Sequence, residues 1–275
     1  MPFITANQQR LYYEMQGSGE PVLLLHGLGS SSQDWPHQVS ALQSDFQVIT
    51  LDLRGHGQSS KPPGPYSIKM LADDVRCFAK QLGLHQYHLI GISMGGMIAF
   101  QLAVDQPPQV LSLSIINSGP HLIARSWKIR CLIYQRLLIT QLLGMRITGK
   151  FIMQKLFPKP EQHALRQQGV EKWAANDKAA YVNAFKAIIN WSVAVPLNNI
   201  KCPCLILTGD RDYTPISYKA DYCQQLANAK LVVIEDSGHA SPLDQPAQVN
   251  QALLDFLDQY DATRNYKSTA KNACT

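Results

Sequence analysis

A serine held between glycines can act as a nucleophile, and Gly91-Ile92-Ser93-Met94-Gly95 offers one. The residues before it, Tyr87–Ile90, read as a buried strand, and Met97–Val104 behind it reads as a helix. G-x-S-x-G at a strand-to-helix junction is the pattern of a nucleophile elbow. The glycines meet a steric demand: a turn this sharp strains the serine backbone, and side chains beside it would collide. The turn lifts the Ser93 hydroxyl above the sheet and aims a helix N-terminus, the positive end of its dipole, at the reaction centre. The pentapeptide alone also fits a Gly-rich turn opening a packed helix, so its partners decide.

A serine hydroxyl needs a base. Among eight histidines, His239 in Asp236-Ser237-Gly238-His239 is placed best, after a late strand and before the final helix. His26 and His56 sit in Gly-rich turns, His85 and His88 flank or lie in a strand, His37 falls in a predicted helix, and His121 and His163 belong to a helical insertion. The base needs an acid to set its tautomer. Gly209-Asp210-Arg211-Asp212 follows the strand Cys204–Leu207, and Asp212 is preferred to Asp210 because the first positions after a strand must make the turn. The other strand end that could supply an acid reads Asn117-Ser118-Gly119, without a carboxylate. An oxyanion hole is expected from the backbone N–H groups of Met94 and Leu28, the latter in His26-Gly27-Leu28-Gly29; losing one such donor costs about 3 kcal/mol in acyl transfer.

The elements that must position these residues alternate between strand and helix. Phe3–Thr5, Arg10–Gln16, Val22–Leu25, Gln47–Leu51, Tyr87–Ile90, Val110–Ile116, Cys204–Leu207 and Leu231–Ile234 read as strands. Ile68–Leu82, Met97–Val104, a helix near Ser217–Leu226 and one from Pro246 to Gln259 read as crossovers and cover. The pattern predicts an α/β fold with a mostly parallel sheet and helices on both faces. The alternation breaks between His121 and Pro196, where Ile129–Leu143, Gly149–Leu156, Glu161–Ala175 and Lys178–Trp191 read as helices. A stretch of that size between two strands is an inserted helical cap. The expected organisation is a core of residues 1–120 and 197–260, a cap of 121–196, and a flexible C-terminal tail of 261–275.

Composition narrows the classes. Of 275 residues, 45% are hydrophobic and 16% charged, which supports a buried core rather than wholesale disorder. A net charge of +5, with no zinc-finger spacing, RNP-like motif or Arg/Lys run, does not point to nucleic acid. Six scattered cysteines suit reduced thiols in a cytoplasmic protein, and Cys202-Pro203-Cys204 reads as strand-edge packing rather than a redox pair or metal site. The N-terminus lacks the basic and apolar regions of a signal peptide, and no apolar run is long enough to cross a membrane. The chemistry needs no metal or organic cofactor.

Together these motifs make the chain resemble the α/β-hydrolase superfamily. The marks are His26-Gly27 with Trp35 downstream, Asp52-Leu53-Arg54-Gly55-His56-Gly57-Gln58-Ser59, Gly91-Ile92-Ser93-Met94-Gly95-Gly96, Gly209-Asp210-Arg211-Asp212 and Gly238-His239. The order Ser93, Asp212, His239 is the one this resemblance implies. In relatives the Asp52–Ser59 stretch shapes a loop, so Arg54 and His56 are expected to be structural. Within the superfamily the chain is similar to small bacterial carboxylesterases, enol-lactonases and carrier-protein methyl ester esterases. Haloalkane dehalogenases and epoxide hydrolases carry Asp at the elbow, and Ser93 argues against both. The resemblance implies hydrolysis of a small-molecule carboxylic ester, lactone or thioester through an acyl-enzyme. Perhydrolases and C–C bond hydrolases share the same three residues, and ligand-binding signalling proteins occur on this fold.

Charge is uneven. Residues 121–199 hold twelve Lys and Arg against Glu161, Glu171 and Asp177, a net +9, which leaves −4 for the rest. Solvated helix faces account for this plainly. The sharper reading is a docking surface for an anionic partner: an acyl carrier protein, a CoA thioester or an anionic membrane surface. Leu132, Ile133, Leu137, Leu138, Ile139, Leu142 and Leu143 are expected to pack the cap and to line an acyl-sized pocket.

Overall fold

Strand side chains alternate between two covers, and this alternation builds the core. The computed structural model describes residues 2–105, 108–124 and 126–260; the expected tail lies outside them. The strands are β1 (Phe3–Ala6), β2 (Gln9–Gln16), β3 (Glu20–Leu25), β4 (Phe46–Leu51), β5 (Tyr87–Ile92), β6 (Val110–Ile116), β7 (Cys204–Gly209) and β8 (Ala229–Ile234). The helices are α1 (Pro36–Leu42), α2 (Ile68–Gln81), α3 (Met94–Asp105), α4 (Trp127–Leu156), α5 (His163–Ala174), α6 (Lys178–Ile188), α7 (Ile216–Cys223), the short α8 (Ser241–Asp244) and α9 (Pro246–Leu257). The sheet order is β1-β2-β4-β3-β5-β6-β7-β8; β2 pairs antiparallel with β1 and β4, and the remaining pairs are parallel. Leu23 and Leu25 of β3 join the layer of α2 and α3, whereas Val22 and Leu24 join that of α1 and α9.

α2 shows how local sequence sets an element. Ser67 caps it by accepting the Met70 N–H, and Ile68, Leu71, Val75 and Phe78 bury one face at helical spacing. Gly83, at φ +72°, ends it in the left-handed region. α3 is buried from Met94 to Ala103 on every side, as its apolar sequence requires. The free thiols include Cys77, Cys131, Cys202, Cys204 and Cys223, with Cys204 at the start of β7.

Between β6 and β7 the chain makes α4, α5 and α6, the inserted helical cap of the fold. Ser126 caps α4 and Asp177 caps α6. α4 kinks at Gly144, whose φ of 77° leaves the helical range. The expected pocket-lining role of the α4 leucines is corrected here. Leu132, Leu138, Leu142 and Leu143 are 57, 59, 72 and 57% exposed, and Ile133, Leu137 and Ile139 are only half-buried. Larger side chains fill the space under the cap instead: Met145, Met153, Phe157, Trp173 and Tyr181 pack together with Leu28 and Ala240 of the core.

The loop after β4 is held as expected of a structural segment. The buried Asp52 carboxylate accepts the Ser32 and Gln58 N–H groups at 2.7 Å each, which ties this loop to the one after β3. Arg54 forms a two-pronged ion pair with buried Asp74 at 2.6 Å. His56 is buried with Nδ1 on the Arg54 carbonyl, and burial beside His26 pushes its pKa down to about 3. The folded state therefore holds fewer protons at this position than the unfolded chain below the usual His pKa of about 6.5. Stability is complete above that value and is lost as pH falls toward about 3. Thermal melts across this range are expected to show the decline, with a shallower slope in His56→Asn; parallel slopes would remove His56 as a source of it.

Candidate active site

Two glycines bring the elbow against the neighbouring strand. Ser93, between β5 and α3, has φ 53°, a left-handed conformation that costs a non-glycine residue energy. Its N–H donates to Ile116 O at 3.0 Å, and its carbonyl accepts from Met97 N and from Ser118 Oγ at 2.7 Å. A Cβ on Gly91 would overlap the Gly95 carbonyl, and one on Gly95 would overlap the Leu25 carbonyl of β3. The turn closes this tightly only because both positions lack side chains.

Gly27 lies directly beside the serine: a Cβ there would stand 3.4 Å from Ser93 Cβ and 3.9 Å from Oγ. Residues 27–30 form a turn closed by Ser30 N to Gly27 O, which places Leu28 at its bend. His26 is buried and accepts the Leu53 N–H on Nε2 at 3.0 Å. Its proton is therefore on Nδ1, which donates to Gly27 O at 2.7 Å. Burial lowers the His26 pKa, in keeping with a neutral ring that pins the turn. Met94 is the first residue of α3, where a helix leaves its N–H groups without intrahelical partners.

Asp212 and His239 meet. Nδ1 of His239 lies 2.6 Å from Asp212 Oδ1, and the Asp212 side chain is fully buried. A carboxylate at Nδ1 leaves Nε2 as the basic nitrogen. Asn117 ties this loop to the elbow: its amide donates to Gly238 O, His239 O and Ser241 Oγ at 3.2, 2.9 and 2.7 Å. Its Oδ1 accepts the Gly209 N–H at the end of β7. Residues 116–118 thus hold both the serine and the histidine loop. Asp210 takes the turn role expected of it and accepts Ser237 N at 2.8 Å. Asp244 takes Gly238 N and Ser237 Oγ at 2.8 Å each.

Three residues stand out that the motifs did not reveal. Lys219 on α7 is wholly buried and donates to Asp212 Oδ2 at 2.5 Å and to Thr214 O at 2.6 Å. Burial alone would raise the Asp212 pKa, but His239, Lys219 and Thr214 hold the carboxyl well below its usual range. Tyr213 stacks on His239 with ring centres 4.0 Å apart and planes 27° apart. Arg136 on α4 is half-buried with its guanidinium among Trp173, Tyr181 and Phe185, at 5.8, 5.6 and 4.6 Å from the ring centres. Its Nε donates to Tyr181 Oη at 2.7 Å, and it has no carboxylate partner among the described residues. The only trace of these roles in the sequence is adjacency: Tyr213 follows Asp212 directly.

The arrangement supplies a strained serine beside a helix start, a neutral glycine-loop turn, and an imidazole whose outer nitrogen is free to take a proton. Among the described residues, no cluster of three His, Cys, Asp or Glu is placed to hold a metal ion.

Residues 20–141 match the family model described as alpha/beta hydrolase fold. The chain is 28% identical over 258 residues to an (E)-2-((N-methylformamido)methylene)succinate hydrolase of Acinetobacter baylyi, covering 92% of this chain and 96% of that one. It is 29% identical to a 3-oxoadipate enol-lactonase of the same organism, over 94 and 97% of the two chains. Its structure superposes on a malate-bound thermophilic esterase from Thermogutta terrifontis with a TM-score of 0.86, at 25% identity over 94 and 98% of the chains. An enol-lactonase from Burkholderia xenovorans superposes with the same score at 24% identity, over 93 and 99% of the chains, a likeness of fold.

The Asp212–Lys219 pair generates a test. Breaking a buried pair from one side leaves an uncompensated charge, so Lys219→Met is expected to lose about 3 kcal/mol or more. Adding Asp212→Asn removes that charge and should restore part of the loss. Denaturant melts of the two single variants and the double variant check this; additive losses would show that the two groups are not coupled.

Proposed function

We propose that this chain is a hydrolase of the α/β fold and that it cleaves a carboxylic ester or lactone through an acyl-enzyme on Ser93. The observation that carries the reading is the 2.6 Å contact between Asp212 and His239 Nδ1, on a loop strapped to the same residues that hold the elbow. In the proposed cycle His239 Nε2 takes the Ser93 proton as Oγ attacks the carbonyl carbon. The Leu28 and Met94 N–H groups receive the oxyanion. The C–O bond to the leaving alcohol breaks, and the proton on His239 goes to that alcohol. Water then attacks the acyl-enzyme with His239 as base again, releasing the acid and restoring Ser93. The domain reading that goes with this is a core of residues 1–120 and 197–260 under a cap of 121–196.

The cap favours a substrate that carries a carboxylate. Arg136 has no acidic partner among the described residues, and aromatic faces hold its guanidinium in one place. The cluster it belongs to touches Leu28 on the oxyanion turn and Ala240 beside His239. A guanidinium held there can pair two-pronged with a carboxylate on the substrate. Two relatives are named for acting on a substituted succinate and on an oxoadipate enol-lactone, both carboxylates.

Ser93→Ala is expected to lower turnover of a short p-nitrophenyl ester by about a thousandfold or more, with an unchanged melting temperature. Retained turnover would remove the serine from the mechanism. Arg136→Leu is expected to raise KM about tenfold or more for an ester bearing a free carboxylate while leaving that for its neutral methyl ester nearly unchanged. Equal effects on both substrates would assign Arg136 to cap packing alone. Activity should also fall in acid, because protonated His239 cannot act as base. A pH–rate profile on a neutral ester checks this; activity that persists unchanged in acid would remove His239 as the base.

A further inference from the structure

α4 carries apolar side chains on its outer face as well as on the face it buries. Trp127, Tyr134, Leu138 and Leu142 are 76, 69, 59 and 72% exposed. With exposed Cys131 they fall on one stripe of the helix, spaced four, three, four and four residues apart. The stripe runs about 22 Å at the helical rise, and Leu132 and Leu143 are also exposed, on the flank of the helix. Of the twelve exposed large apolar side chains among the described residues, eight lie on α4. The inward face is mixed, with Met145 and Met153 buried in the apolar cluster under the cap beside polar groups. Thr140 and Thr148 are buried and bonded to each other at 3.1 Å, and Arg136 points toward the aromatic cluster. Apolar area of this extent on a single element marks an interaction surface.

The charge on the same surface selects the partner. No Asp or Glu occurs between Asp105 and Glu161, and α4 carries Lys128, Arg130, Arg136, Arg146, Lys150 and Lys155. Lys128 and Arg130 are exposed and flank the stripe. Two copies of this face brought together would oppose acid-free basic surfaces, which disfavours self-pairing. Trp and Tyr beside Leu, edged by Lys and Arg, is the pattern of a helix lying in the plane of a lipid headgroup layer. Anionic lipid attracts the basic residues, and the apolar stripe enters the acyl boundary.

We infer that the outward face of α4 docks the protein on an anionic lipid bilayer. Docking sets one side of the cap helix in the membrane surface while its other side carries Arg136 beside the reaction centre. Esters partitioned at the bilayer would then meet the element that covers the site. The docking claim stands on surface chemistry and not on the catalytic reading.

The test is co-sedimentation of the full chain with vesicles of phosphatidylcholine alone and with about a third phosphatidylglycerol. Binding is expected only with the anionic vesicles, weakening as salt is raised. Lys128→Gln with Arg130→Gln should weaken it about 25-fold, near fivefold for each charge removed. Leu138→Ser with Leu142→Ser should weaken it at least as much. Both double variants are expected to turn over a soluble ester as the wild type does and to keep its melting temperature. Ser93→Ala should bind vesicles like the wild type, so failure of the chemistry and failure of docking are read separately. Equal binding to neutral and anionic vesicles, or binding to neither, overturns the inference. So does a dimer in light scattering that Leu138→Ser with Leu142→Ser dissolves while vesicle binding is unchanged, since the face then belongs to a second copy.

Discussion

A carboxylate with no access to water must be matched on every side, and Asp212 is the group on which the site turns. One oxygen faces His239 and the other faces Lys219 and Thr214. An isolated buried charge would neutralise itself by taking a proton. Here the surrounding donors hold the carboxyl ionised, so its geometry is fixed by three groups from the β7–α7 region and the histidine loop. The same negative charge then decides which imidazole nitrogen bears hydrogen.

The groups that meet at the carboxyl edge of the sheet come from loops, and loops move unless tied. The ties are polar. Asn117 joins the ends of β6 and β7 to the histidine loop, Asp210 and Asp244 hold that loop from both sides, and His26 fixes the turn beside Ser93. Such networks favour one arrangement over its neighbours, because a half-made network leaves unpaired polar groups in a low-dielectric interior. The strained Ser93 backbone persists for the same reason: β3, β6 and α3 leave it no other conformation.

Much of this was legible in the chain before any coordinates. The elbow was visible because steric demands at Gly91 and Gly95 leave a local signature, and β6 was read as Val110–Ile116, where the structure has it. Asp212 could be preferred to Asp210 from turn geometry alone, and the structure gives Asp210 the turn contact. Lys219 was not legible, since a lysine in an amphipathic helix reads as solvated and only the tertiary fold buries it. Asn117 was noticed only as a missing acid, although an amide is what a three-way tie requires. The α4 leucines misled for a related reason: periodicity shows that a helix has an apolar stripe but not which way the stripe faces. Their direction is set by Trp173 and Tyr181, distant in sequence, which occupy the space the leucines would have filled.

The cap and the core therefore follow different rules. Core positions obey burial, whereas α4 buries Met145, Met153, Thr140 and Thr148 and leaves Trp127, Tyr134, Leu138 and Leu142 exposed. The central claim remains the activation of Ser93 by a histidine that Asp212 orients, and it is most directly read as a rate of covalent capture. Second-order labelling of Ser93 by a fluorophosphonate, followed by intact mass, should drop by about a thousandfold or more in Asp212→Asn, which keeps the side-chain shape but offers an amide to Nδ1. Labelling of that variant at the wild-type rate would contradict the account.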